Sequence, residues 1–102
     1  MDQDDSVFSA TSDGDTTHRT VEVTGEVDMD TADAMFQAAT REPTDRMTLD
    51  LTGVTFFDSA AIHAVVRLTE RFANRIEVRP SPTVRRVLDI AGFGEEPWLL
   101  RS

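Results

Sequence analysis

The sequence predicts a small single-domain α/β fold: a mixed sheet of four to five strands with an N-terminal β-hairpin and about three packed helices. Three observations lead there. Residues 19–27 alternate apolar Val21 and Val23 with Glu22 and Thr24, the period of a strand with one wet face. Residues 47–72 run from an apolar strand through an Asp58-Ser59 corner into an amphipathic helix. Each later strand is separated from the next by a helical segment, which implies a parallel pair with a right-handed crossover appended to an antiparallel hairpin. A chain of 102 residues supports one such core, so residues 1–102 read as a single domain.

Residues 1–5 read as a frayed, solvated tail. Val7, Phe8 and Ala10 suggest a first edge strand over residues 6–11, closed by Ser12-Asp13-Gly14-Asp15 as a turn. The second strand ends at Gly25 and the acidic run Glu26-Val27-Asp28-Met29-Asp30. Ala32, Met35, Phe36 and Ala39 then recur at i, i+3, i+4 and i+7, a first helix capped by Asp30 or Thr31, with Asp33 at its positive end. Arg41-Glu42-Pro43-Thr44 stops it. Residues 47–51 form the next strand and are followed by a tight turn. Residues 76–78 form a brief strand after the central helix. Ser81-Pro82 opens a last helix with a cap and a proline at the first helical position, Val84, Val87, Leu88 and Ala91 make its buried stripe, and Gly92 ends it. The segment 93–102, with Trp98, Leu99 and Leu100, reads either as a last strand or as a short packing segment.

On the central helix, counted at about 100° per residue, Ala61, Val65, Leu68 and Phe72 fall together, flanked by Ile62, Thr69 and Ala73. Ser59, His63, Arg67, Glu70, Arg71 and Asn74 fill the opposite arc. Ser59 is thus expected to look outward at the helix N-terminus, where an anion would meet free backbone N–H groups. Ile62 and Val66 border the polar arc; they either pack under the preceding loop or join Ala60 in a low, partly apolar docking surface.

Composition excludes several functions. Nineteen acidic residues against ten arginines and no lysine give a net charge of -9, the wrong sign for a phosphate-backbone or anionic-membrane binder. Without cysteine there is no disulfide, thiolate catalysis or thiolate metal site. The acidic start lacks the pattern of a signal peptide and no apolar stretch is long enough to span a bilayer, so a soluble, cytoplasmic protein is expected. His18 and His63 lie on separate elements, Asp28, Asp30 and Asp33 lack calcium-loop spacing, and no glycine-rich phosphate loop is present. No metal or other cofactor is expected. Ser59 and His63 are at i, i+4, but Asp58 is too close in sequence to orient the far side of the imidazole, and no oxyanion loop accompanies them, which argues against a hydrolase. The simplest role of Asp58-Ser59 is to cap the helix.

Taken together, the string Leu49-Asp50-Leu51-Thr52-Gly53-Val54-Thr55-Phe56-Phe57-Asp58-Ser59 resembles the signature of STAS domains, specifically the anti-sigma-factor antagonists, in which a strand of this type leads into a regulatory helix. Gly25-Glu26-Val27-Asp28-Met29-Asp30-Thr31-Ala32 is similar to a second family segment. Ser81-Pro82-Thr83-Val84-Arg85-Arg86-Val87-Leu88, followed by Ala91-Gly92-Phe93, is similar to a third. The resemblance covers nearly the whole chain. It departs after the serine, where the family usually has Ser or Thr and then Gly, and this chain has Ala60 and Ala61.

The resemblance implies a regulator of transcription rather than an enzyme. Its unphosphorylated form would bind an anti-sigma factor that is also a serine kinase, releasing a sigma factor. Phosphorylation of Ser59 would end that binding, and a serine phosphatase would restore it. The implied partner surface is Asp28, Asp30, Thr31, Asp58, Ser59, Ala60, Ala61, Ile62, His63 and Val66. A STAS domain can also serve as the non-catalytic subunit of a lipid-transport complex, the same helix docking on the ATPase. Oligomeric state is not fixed by the sequence.

Overall fold

A computed structural model describes residues 7–100. The tail expected over residues 1–5 lies outside them, as do Ser6, Arg101 and Ser102. The elements follow in the order β1 (Ser9–Gly14), β2 (His18–Val27), α1 (Ala32–Thr40), β3 (Arg46–Phe57), α2 (Ser59–Phe72), a 3₁₀ turn (Ala73–Arg75), β4 (Ile76–Pro80) and α3 (Pro82–Ile90). Among the described residues the sheet has four strands in the order β1-β2-β3-β4. β1 and β2 form the expected antiparallel hairpin, while β2, β3 and β4 are mutually parallel.

The buried apolar side chains lie on one face of the sheet. Val21, Val23 and Val27 of β2, Met47, Leu49 and Leu51 of β3, and Ile76 and Val78 of β4 are buried against Met35 and Ala39 of α1, Val65 and Leu68 of α2, and Val84 and Leu88 of α3. Each full burial of such a side chain contributes roughly 1.5–3 kcal/mol. On the other face of β2, Thr20, Glu22, Thr24 and Glu26 are exposed or half-exposed. The domain therefore has two layers, helices on one side and a polar, acidic sheet surface on the other. Arg67 of α2 lies over the Phe36 ring of α1, 4.0 Å from its centroid, and fixes the two helices laterally.

Several sequence expectations shift. The first strand occupies 9–14 instead of 6–11, so Ser12, Asp13 and Gly14 belong to the ladder. An exposed edge strand of Ser, Thr and Asp carries no hydrophobic period, and the turn is set instead by Asp15, whose Oδ1 accepts the N–H groups of Thr17 (2.9 Å) and His18 (3.1 Å). Gly25 does not end β2. It sits within the strand at φ 89°, where a Cβ would lie 2.2 Å from the Val7 carbonyl oxygen, so only glycine lets the neighbouring chain approach.

The tight turn expected after residue 51 is absent, and β3 continues to Phe57. Pairing with β2 steps from Glu22↔Asp50 to Thr24↔Gly53, then from Gly25↔Val54 to Glu26↔Phe56. Each step places one extra residue on β3. Buried positions after Leu51 consequently fall at Val54 and Phe57, three apart instead of two.

The last helix ends as expected. Gly92 N–H donates to Asp89 O at 3.1 Å and Phe93 N–H to Leu88 O at 2.8 Å, a Schellman cap. Ala91 is exposed and is not part of the buried stripe. The segment beyond is a packing segment with a single bridge: Val78 N–H donates to Trp98 O and Leu100 N–H to Val78 O, which covers the edge of β4. Among the described residues no helix is long and apolar enough to cross a membrane.

Candidate functional site at the carboxyl ends of the parallel strands

Because β2, β3 and β4 are parallel, their carboxyl ends share one pole, and each delivers the chain to the N-terminus of a helix. At β3 the junction is a single residue. Asp58 is extended (φ -111°, ψ -168°); its N–H donates to Val27 O of β2 at 3.3 Å, its Oδ1 accepts Ala61 N–H at 3.0 Å, and its carbonyl accepts Ile62 N–H at 3.0 Å. The capping role read from the sequence thus belongs to Asp58. The next residue, Ser59, is the first of α2; it is exposed, and among the described residues its hydroxyl has no hydrogen-bond partner. An exposed hydroxyl is held on a corner fixed by the Asp58 cap.

Within α2 the two arcs of the wheel are reproduced: Ser59, His63, Arg67, Glu70 and Arg71 are exposed, and Ala61, Val65, Leu68 and Phe72 are buried, joined by Ala64; Ala73, expected beside the seam, is instead exposed, because the helix ends at Phe72 and Ala73 opens the 3₁₀ turn. Ala60, Ile62 and Val66 are half-buried, which leaves them part of their surface beside Ser59. Ala61 is a correction. It is 0% exposed, so it belongs to the core seam and has no surface to offer a partner. Its nearness to Ser59 in sequence conceals a rotation of about 200° around the helix.

The neighbouring β2–α1 loop lies one strand spacing away, since Val27 pairs with Phe57. Here neither Asp30 nor Thr31 caps α1 through its side chain. Asp28 Oδ1 instead accepts the N–H groups of Asp30 (2.9 Å) and Thr31 (3.2 Å), while Thr31 Oγ1 accepts Asp28 N–H (2.9 Å) and donates to Glu26 O (2.9 Å). Asp28 and Thr31 therefore brace the loop, and Asp30 remains exposed. The carboxylate of Asp58, engaged with the α2 amide, does not orient His63, so the corner lacks the relay that a serine hydrolase needs. Among the described residues no three His, Asp or Glu side chains converge on a metal position.

Two apolar neighbours of the corner were missed. Met29, between the loop aspartates, is 79% exposed, and Phe56, two residues before Asp58, is 46% exposed. The signals were present: a methionine in an otherwise acidic loop, and consecutive phenylalanines on a strand, where only one can face inward.

The model of the family described as "Mlab, STAS domain" matches residues 10–101. The chain belongs to the STAS domain family. The fold agrees with solved STAS-like structures at low sequence identity. An anti-sigma factor antagonist from Mycobacterium paratuberculosis superposes with a TM-score of 0.79 at 23% identity, over 95% of this chain and 88% of that one. The anti-sigma factor antagonist SpoIIAA in its unphosphorylated form gives 0.71 at 21% identity, over 94% and 88%. The phosphorylated form of the Bacillus cell fate determinant SpoIIAA gives 0.67 at 19% identity, over 94% and 91%. No curated protein matches the chain significantly. Within this STAS domain the strand-to-helix corner at Asp58-Ser59 and the braced loop at Asp28-Thr31 are adjacent features of one pole.

Proposed function

We propose that this STAS domain is a cytoplasmic anti-sigma-factor antagonist controlled by phosphorylation of Ser59. The observation that carries the proposal is the state of that residue: an exposed hydroxyl without a hydrogen-bond partner among the described residues, on a corner fixed by the Asp58 cap. The fold shared with proteins described as anti-sigma factor antagonists, one of them in both phosphorylated and unphosphorylated forms, supports it. In the unphosphorylated state Asp30, Ala60, Ile62, His63 and Val66 surround Ser59 as the contact surface for an anti-sigma factor with serine kinase activity, with Asp28, Thr31 and Asp58 shaping it.

Phosphorylation forms an Oγ–P bond at Ser59 as the bond to ADP breaks, and the hydroxyl proton passes to a base of the kinase. The added charge of about -1.5 to -2 then sits next to the Asp58 carboxylate. In a close contact that dianion must be desolvated without a countercharge from this corner, so the interface opens while the fold remains intact. A serine phosphatase reverses the step.

The test is to recover partners of the full chain from its own cytosol and incubate the complex with ATP. A serine kinase that phosphorylates wild type at Ser59 and leaves Ser59→Ala unmodified supports the proposal. Phosphate at another residue overturns it. Recovery of a transport ATPase in place of a kinase replaces it with the accessory-subunit role in lipid transport.

A further inference from the structure

At the opposite pole, at the amino ends of β3 and β4, the sheet surface carries a cleft of about 320 Å³ whose polar wall includes His18, Arg46, Thr48 and Arg75. It shares Asn74, Ile76 and Pro97 with an adjoining recess of about 280 Å³ walled by Ala73 and Trp98. One half of the combined depression is polar and cationic, the other largely apolar.

Three features suggest a binding site. The floor is built: Thr48 is 3% exposed, although it lies on the solvent side of the sheet, and its Oγ1 is 2.7 Å from His18 Nε2. Arg46 is uncommitted in a chain where acids outnumber arginines nearly two to one. Among the described residues the ion pairs are Arg19–Glu42 and Arg85–Asp89; the Arg46 guanidinium makes no hydrogen bond or ion pair, while Arg75 donates to the Asp45 carbonyl and lies over the Phe72 ring, 5.8 Å from its centroid, which holds it at the edge of the cleft. The lip is strained: Ala73 (φ 54°, ψ -124°) and Asn74 (φ -87°, ψ 17°) take the angles of a type II′ turn, whose first central position favours glycine. Non-glycine residues held in this way cluster at ligand sites.

We propose that this cleft binds a small organic anion with an apolar body, of the aryl- or alkyl-carboxylate class. Arg46 and Arg75 hold the carboxylate and the Ala73–Trp98 recess takes the hydrocarbon. Glu77, on the cleft wall, and Glu96, in the recess, limit the net positive charge, so a monoanion fits better than a polyanion. The site shares no residue with the Ser59 corner and stands independently of the proposed switch.

Trp98 is the chain's single tryptophan and reports on the recess directly. The full chain is titrated with phenylacetate while its fluorescence is followed. A saturable change is expected, weakened about tenfold or more in Arg46→Gln and in Arg75→Gln. Benzyl alcohol, which lacks the charge, and inorganic phosphate, which lacks the apolar body, are each expected to bind at least about tenfold more weakly than phenylacetate. Arg46→Gln removes no described side-chain contact, and an unchanged melting curve keeps its result interpretable. In amide NMR spectra the shifts should centre on residues 46–48 and 73–77. Absence of saturation, wild-type affinity in both variants, equal binding of benzyl alcohol or phosphate, or shifts centred on Ser59 would each overturn the proposal.

Discussion

The two poles of the sheet are built by different means. At the carboxyl pole each strand passes to its helix through a short junction: Asp58 alone joins β3 to α2, and Ser81 alone joins β4 to α3. The bonds at these two junctions are partly or fully buried, and they combine local helix caps with ties across the sheet, such as Asp58 N–H to Val27 O. Ser81 Oγ accepts Val84 N–H at 3.1 Å and donates to Val54 O at 2.7 Å, inside the core. At the amino pole, segments distant in sequence are tied by mostly exposed bonds: Asp45 N–H to Thr16 O, Arg46 N–H to Thr17 O, Thr44 Oγ1 to Asp15 O, and the Arg75 guanidinium to Asp45 O. The contrast suggests a division of labour. Such a division would let the carboxyl pole carry the proposed modification without deforming and the amino pole adjust around the proposed ligand, because exposed bonds open at low free energy.

Stability measurements should sharpen that contrast. The largest effect is expected from Ser81→Ala, which orphans a buried carbonyl and a helix amide together; a loss of about 2–3 kcal/mol in denaturant unfolding is expected. A loss below about 0.5 kcal/mol would mean that the buried pair adds little. Asp58→Ala should remove about 1 kcal/mol through the lost cap, whereas Ser59→Ala should stay within about 0.5 kcal/mol of wild type. If the two behaved alike, Ser59 would be structural and not free for modification. At the amino pole, Ala73→Gly should raise stability by about 0.5–1 kcal/mol, since relief of the positive φ exceeds the added chain entropy; destabilisation would show that the turn is unstrained.

The smallest effect concerns acid. The N–H groups of His18 and then Thr17, donating to the exposed Asp15 carboxylate, hold its pKa below 3.8. A carboxyl with a depressed folded-state pKa stabilises the native state above its unfolded value, and that contribution is lost as pH falls through the folded value. The stability difference between wild type and Asp15→Ala should therefore be constant near neutral pH and shrink below about pH 4, as read from urea unfolding at several pH values. A difference that grows on acidification would reverse the sign.

What could be read from the sequence follows the same division. The element order, the Asp58 and Ser81 caps, the Gly92 terminator and the wet arc of α2 depend on residues a few positions apart, so periodicity and cap chemistry reveal them. The first strand was displaced because Ser9–Gly14 has no buried face to impose a period. The full length of β3 was hidden by its two bulges, which convert spacing by two into spacing by three and make Thr52-Gly53 resemble a turn. Gly53 instead admits the Thr24 side chain, whose Cγ2 would lie 2.8 Å from an added Cβ. At the candidate site the exposed position of Ser59 was legible, but the inward turn of Asp28 toward its own loop was not, because Thr31 meets it only after the chain has bent. The amino-pole cleft gathers residues 18, 46–48, 73–77 and 96–98, and no local pattern announces it.

The most direct measurement is the affinity of the full chain for the proposed anti-sigma kinase, determined by calorimetry with the protein unmodified and with Ser59 stoichiometrically phosphorylated, both forms first shown to share one melting curve. Binding by the unmodified form, a weakening of at least about 100-fold on phosphorylation, and recovery after phosphatase treatment are expected. Equal affinity of the two folded forms would contradict the switch.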